Sequence, residues 1–373
     1  MNYQEFKPIV IDNGTYSMKS GFVGDEKPIS NFRTIVGTPR GCFSPFFEYS
    51  KAFYVGDSAM TKLGILRLIY PIERGEITNY DSIEQIWKYI FGNKLAIEPE
   101  DHPVFMTESP VSSKQNREKM TQIMFECFSI PEFYIGTQGP LSLYSCGKLT
   151  GTVVKSSDSG SFSIPIEDGF MIRNRIGKLD ITGSDLTESL RNKLNERGYN
   201  FTTTSESEIV RDIKEKCCYV AEDYQKEMEK DLNVNKQSYE LPDGQIISIC
   251  REMFQSPEML FHSSSVDDDL NGIHMLTYRS IIECNVDIRE ALFENIVLTG
   301  GNTLLKGFDK RFKNELNKVT KSSININVCN TFGEDYSEWL GGSIFASNLP
   351  NELWCSKDEY DEYGPMLINK KCY

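Results

Sequence analysis

The chain reads as a mixed α/β protein with a duplicated plan, and three observations predict it. Each half opens on a strand–turn–strand unit, helical periodicity alternates with strands in both halves, and no low-complexity linker divides them. The first strand is Pro8-Ile9-Val10-Ile11. It is broken by the turn-forming Asp12-Asn13-Gly14 and followed by a second strand over Met18 to Val23. Near the middle the pattern returns as a strand Gly151-Thr152-Val153-Val154, a polar turn from Lys155 to Ser159, and a strand from Ser161 to Ile166. A hairpin tip presents backbone N–H groups, so facing hairpins suit an anionic ligand.

Helices follow from apolar residues at three- and four-residue spacing. Ser82 with Gln85 reads as a capping box, opening a helix whose apolar face is Ile83, Ile86, Trp87 and Ile90, with Gly92 as its stop. Another starts near Ser113 and carries Met120, Ile123, Met124, Cys127 and Phe128. Leu186, Leu190 and Leu194 mark a third, closed near Gly198; Ile209, Ile213, Cys217 and Val220 mark a fourth. From Thr299 to Val319 the pair Gly300-Gly301 feeds a helix bearing Leu304, Leu305, Phe308, Phe312 and Leu316.

The 373 residues are 39% hydrophobic, enough for two sizeable cores, and their 25% charged content is ordinary for a globular chain. Asp plus Glu number 54 against 40 Lys plus Arg, a net charge of −14 with no long basic run. Such a surface repels nucleic acid and anionic membrane and suits protein partners with basic surfaces. The segment Met1 to Lys7 lacks the apolar core of a signal peptide, and no stretch reaches the roughly 18 apolar residues of a spanning helix. Ten cysteines lie without C-x-x-C spacing, which reads as free thiols in a reducing compartment. A soluble, cytoplasmic protein is expected.

Several long stretches resemble actin. They include Tyr54-Val55-Gly56-Asp57, Tyr70-Pro71-Ile72-Glu73, the run Asn116 to Glu126, the run Glu208 to Lys216, the run Ser238 to Gln245, Trp339-Leu340-Gly341-Gly342-Ser343-Ile344 and the tail Lys371-Cys372. The similarity runs nearly end to end. It implies the two-lobed nucleotide clamp shared with Hsp70 ATPase domains and sugar kinases, holding ATP or ADP with Mg2+ or Ca2+. The implied subdomains are 1–33, 71–145 and 337–373 for the first, 34–70 for the second, 146–181 and 269–336 for the third, and 182–268 for the fourth.

The resemblance also assigns site residues. Asp12, Gly14, Thr15 and Lys19 would form the first phosphate cradle, with Asp12 meeting the metal through water, Thr15 giving a hydroxyl and Lys19 neutralising charge. Gly183, Arg211, Lys214 and Glu215 would meet the nucleoside, with Gly300, Gly301 and Thr303 in the glycine turn beside it. Asp158 survives as a metal-side carboxylate, and Gln138 stands where actins orient the attacking water. The chain departs from the pattern elsewhere. Tyr16 replaces a glycine, restricting φ at a cost of about 1–2 kcal/mol if the backbone is left-handed there. Lys155 replaces an aspartate, Phe162 replaces a histidine, Leu305 replaces a stacking tyrosine and Asp335 replaces a basic residue. Lys155 is read either as an ammonium contacting the phosphates or as a solvent-facing residue of a relaxed loop.

Filament contacts are altered as well. The loop Gly41 to Ser50 is aromatic, and Ser264 to Asp269 ends on three carboxylates that would be costly to bury. Glu5 alone remains of the acidic opening, while Tyr144, Gly147 and Gly169 keep part of a partner cleft in which Phe345 and Asn348 are changed. The expected function is a divergent actin-like cytoskeletal protein that binds ATP, hydrolyses it slowly at most, and does not form ordinary filaments. Its expected partners are cytoskeletal or actin-binding proteins, with other actin subunits a further candidate. The alternatives are a conventional polymerising ATPase and a nucleotide-free interaction protein.

Overall fold

The computed structural model describes residues 7–39, 53–231, 236–262, 272–330 and 336–372. The chain divides into two compact units, Met1–Gly147 with Tyr336–Tyr373, and Lys148–Asp335. Mixed strands and helices fill both, as the alternating periodicities predict.

In the first unit β1 (Ile9–Asn13) and β2 (Ser17–Phe22) form the antiparallel hairpin, with Asp12 opposite Lys19. β3 (Ser30–Arg33) continues on one side; β4 (Val104–Glu108) and β5 (Glu132–Thr137) lie on the other, with β1, β4 and β5 mutually parallel. Strand Cys355–Ser356 closes the far edge. Parallel strands are covered on both faces, so they read as unbroken apolar runs. Accordingly Ile9, Val10, Ile11, Val104, Phe105 and Met106 are all fully buried. Helices α1 (Tyr80–Tyr89), α2 (Lys114–Cys127) and α3 (Gln138–Ser145) belong to this unit, as does helix Ser337–Ser347, whose Trp339 indole N–H donates to the Val10 carbonyl at 3.1 Å.

Two helix-end expectations change here. The cap of α1 is Asn79, whose side chain accepts from the Ser82 N–H, because Asn79 holds the extended backbone a cap needs. Gly92 does not stop the helix, which continues as a π-helical turn Ile90–Leu95 and ends at left-handed Ala96.

The second unit carries β6 (Gly151–Ser157), β7 (Gly160–Glu167), β8 (Ile296–Thr299) and β9 (Val328–Asn330). β6 and β7 form the hairpin; β6, β8 and β9 are parallel. Helices α4 (Gly183–Glu196) and α5 (Thr204–Cys217) each begin with a capping box, Thr182 with Asp185 and Thr203 with Glu206. α6 (Ile273–Ile282) and α7 (Phe308–Val319) complete the core around Leu190, Leu194, Val210, Leu298 and Phe312.

The polar turn is shorter than its composition suggests. β6 runs on through Lys155 and Ser156, because the Ser156 and Ser161 hydroxyls pair at 2.8 Å and keep the ladder closed. Val220 lies beyond α5 and donates its N–H to the Lys306 carbonyl. The predicted helix after Gly300-Gly301 is split into a 3-10 turn, Gly301–Leu304, and α7. Among the described residues no helix is long and apolar enough to cross a membrane.

Candidate functional site

In the first unit the β1–β2 tip stands at the carboxyl ends of the parallel strands, the edge where open α/β sheets hold ligands. Asp12 and Lys19, both almost fully buried, form an ion pair at 3.2 Å across the hairpin. The other Asp12 oxygen accepts from the Thr107 hydroxyl at 2.5 Å and from the Gln138 side-chain amide at 3.0 Å. Thr107 comes from β4 and Gln138 opens α3, so three separate segments meet on one carboxylate. Thr34 donates its hydroxyl to the Gly14 carbonyl at 2.8 Å and its N–H to the Tyr16 carbonyl, bracing the turn.

At that tip the Thr15 hydroxyl and the Asn13 amide oxygen are buried with no hydrogen-bond partner among the described residues. An uncompensated buried polar atom costs about 1–3 kcal/mol, which a ligand group bonding to it removes. Tyr16 does not carry the strain expected of it. The described non-glycine residues with positive φ are Arg74, Ala96, Ser129 and Asp168. The Tyr16 ring instead lies under the Arg33 guanidinium at 4.1 Å, a cation–π contact that turns it aside.

The second unit gathers its own cluster. Asp158 at the β6–β7 tip pairs with Arg211 of α5 at 2.5 Å, and the same guanidinium reaches the Ser184 hydroxyl at 3.3 Å. Lys214 donates to the Gly183 carbonyl at 2.8 Å, and burial holds its ammonium pKa below the usual lysine range. Gly183 is required by closeness: a Cβ there would stand 2.4 Å from an Asp158 carboxylate oxygen. Gly300 is required twice over, by a φ of 90° and by a Cβ that would meet the Ser156 carbonyl at 2.4 Å. Beside it Asn302 donates to the Ser156 hydroxyl at 3.1 Å, and Thr303 donates to the Gly300 carbonyl at 2.8 Å.

Not every predicted residue joins these clusters. Arg211 and Lys214 are buried on one face of α5, whereas Glu215 is exposed, as is Gly301. Leu305 packs in the apolar core, and Asp335 falls outside the described residues. Lys155 is no solvent-facing loop residue. It is 5% exposed in mid-strand, directly opposite fully buried Phe162, and directly opposed residues share a face of the hairpin. Thr107, Ser184 and Asn302 were not singled out from the sequence. Thr107 ends an apolar run and carries no local signal, while Asn302 sits inside the noticed glycine turn.

Fold and clusters together define an α/β protein with two buried polar hairpin tips, each set beside the carboxyl ends of parallel strands. Comparison with protein families finds that Actin matches residues 3–373, and the chain belongs to the actin family. Members of that family generally bind ATP or ADP with a divalent cation.

The residues present fit a nucleotide phosphate, since the Thr15 hydroxyl lacks a partner and Lys19 stands on the adjoining strand. They do not fit a directly held divalent cation, which takes several oxygen donors. Asp12 is engaged by Lys19, Thr107 and Gln138, and Asp158 by Arg211. Lys155 and Phe162 have no side-chain oxygen to offer. Among the described residues no three or more His, Cys, Asp or Glu side chains gather to hold a metal.

Proposed function

We propose that this chain is an actin-like cytoskeletal protein that binds ATP and hydrolyses it slowly or not at all. The observation that carries the reading is the unpartnered, buried Thr15 hydroxyl at a hairpin tip that also holds the Lys19–Asp12 pair. Thr15 and Lys19 bind phosphate oxygens; Arg211 and Lys214, with Gly183, Gly300, Gly301 and Thr303, line the nucleoside side. Glu215, exposed on α5, is counted with them on the family resemblance alone.

The fold proposed for it is the family's nucleotide clamp of duplicated plan, with the four subdomains given by the family resemblance. Support for duplication comes from the two sheets, each of which runs as a hairpin followed by two parallel strands.

Hydrolysis requires a water aligned on the γ-phosphate and a group to take its proton. Gln138 directs its amide hydrogens at Asp12 and Thr107, and Phe162 has no acceptor, so alignment and proton transfer are both impaired. Removing such a helper typically costs about 10²–10⁴ in rate. The partners are actin-binding or cytoskeletal proteins of the cytoplasm. Ordinary filaments do not form, because Asp267, Asp268 and Asp269 resist burial in a subunit contact. That loop and the aromatic loop Gly41 to Ser50 lie outside the described residues.

The test is the nucleotide extracted from purified protein after incubation with Mg-ATP in polymerising salt. Stoichiometric intact ATP is expected. Stoichiometric ADP would restore the conventional ATPase, and protein without nucleotide would leave an interaction protein on the same scaffold.

A further inference from the structure

We infer that this chain holds its nucleotide phosphates with ammonium groups and needs no divalent cation, Lys155 supplying the charge on the second hairpin. The inference rests on the nucleotide reading above and would fall with it.

Position comes first. Lys155 has Phe162 as its partner on β7 and Thr299 as its partner on β8, so it is a central rung fixed from both sides. Partnered residues share a face, which lines up a phenyl ring, an ammonium-bearing chain and a threonine in one row. Thr299 leads directly into the Gly300 turn, and Ser157 and Asp158 follow Lys155 to the hairpin tip. The row therefore stands at the same carboxyl edge of the sheet as the Asp158–Arg211 pair. At five per cent exposed, Lys155 is held within the ladder and is not spread into solvent as a loop residue would be.

Charge comes second. An ammonium and a divalent cation repel each other, and a polyanionic phosphate chain at this edge attracts either one. A metal also needs oxygen donors or polar groups to hold its waters, and the Phe162 ring provides none. The two carboxylates at the hairpins are already neutralised by fixed cations, Asp12 by Lys19 and Asp158 by Arg211. Lysine is a compact point charge well suited to phosphate oxygens. Lys155 on the second hairpin thus does the work that a cation does in relatives that carry one.

The test is calorimetric titration of the nucleotide-stripped full chain with ATP, once in excess EDTA and once in excess Mg2+. The two affinities are expected to agree within about threefold. K155D is expected to bind about tenfold or more weakly in EDTA and to recover when Mg2+ is added, because a charge-assisted contact is lost and a metal-tolerant carboxylate gained. K155Q serves if K155D misfolds; it should lose about tenfold in EDTA without recovering in Mg2+. A wild-type affinity that rises about tenfold or more with Mg2+ would overturn the inference and leave the nucleotide reading standing. So would variants that bind in EDTA as the wild type does. No ATP uptake under either condition would overturn both.

Discussion

The two hairpins share a backbone design, and the chemistry of one rung near the turn sets them apart. In the first, Asp12 faces Lys19 and the pair is a buried, self-neutralising ion pair. In the second, Lys155 faces Phe162, an ammonium-bearing chain beside an apolar ring. The ladder decides where a side chain stands; the residue type decides what chemistry stands there. A hairpin can keep its place in the sheet, its close glycine contacts and its neighbouring arginine while its reactive face changes sign. That is why membership of a nucleotide-binding family does not by itself carry hydrolysis over to this chain.

Four experiments break or sharpen this contrast. The largest effect is expected at the self-neutralising rung. K19M leaves Asp12 buried without its cation and should lower the unfolding free energy by about 3–5 kcal/mol in urea titrations. A loss below about 1 kcal/mol would mean that hydrogen bonds from Thr107 and Gln138 suffice to hold the carboxylate.

The second experiment rebuilds the other rung. K155D/F162H restores a carboxylate and an imidazole together, and phosphate release from ATP should rise about 10²-fold over the wild type, with F162H alone giving less. An unchanged rate would place the block elsewhere, for instance in the locked Gln138 amide.

The third experiment probes the scaffold beneath β7, where α6 packs. His274 of that helix is buried against Phe261, and burial pushes its pKa down to about 4 from an ordinary 6.5. Glu315 raises the value, while His262, Arg311 and Lys318 lower it further. The unfolded chain therefore takes up a proton below pH 6.5 that the folded chain refuses until about pH 4. Stability is fully present above 6.5 and lost as pH falls through that window, by about 2 kcal/mol at about pH 5. H274F should remove this part of the acid slope in thermal melts, and an unchanged slope would assign it to carboxylates alone.

The smallest effect is expected at Thr15. T15V removes a buried hydroxyl that has no hydrogen-bond partner among the described residues, so the nucleotide-free chain should keep its stability or gain up to about 1 kcal/mol. ATP affinity should nevertheless fall about tenfold by titration. Equal losses in both measurements would make Thr15 a packing residue.

Much of the fold is legible locally. The break at Asp12-Asn13-Gly14, the helix start near Ser113 and the leucine spacing of α4 are all decided within about one helical turn or one hairpin. Nearby competition is harder to read, which is why Asn79 rather than Ser82 caps α1: both residue types cap well, and only the backbone at position 79 is extended. Hydroxyl-rich runs mislead in a similar way. Ser156 and Ser161 look like turn residues until they bond each other, and the strand then carries Lys155 inside.

The sequence by itself determined the α/β class, the two hairpins and the residue types at their tips, because these depend on neighbours in the chain. Tertiary structure alone decided which tips are neutralised. Asp12 meets Thr107 and Gln138 across separations of 95 and 126 residues, and Asp158 meets Arg211 across 53. Such contacts are set by which strands run parallel and which helix packs over which edge, and no local periodicity encodes the identity of a distant partner. The burial of Lys155 has the same origin: its side chain stays inside because β7 on one side and β8 on the other leave it nowhere else to go.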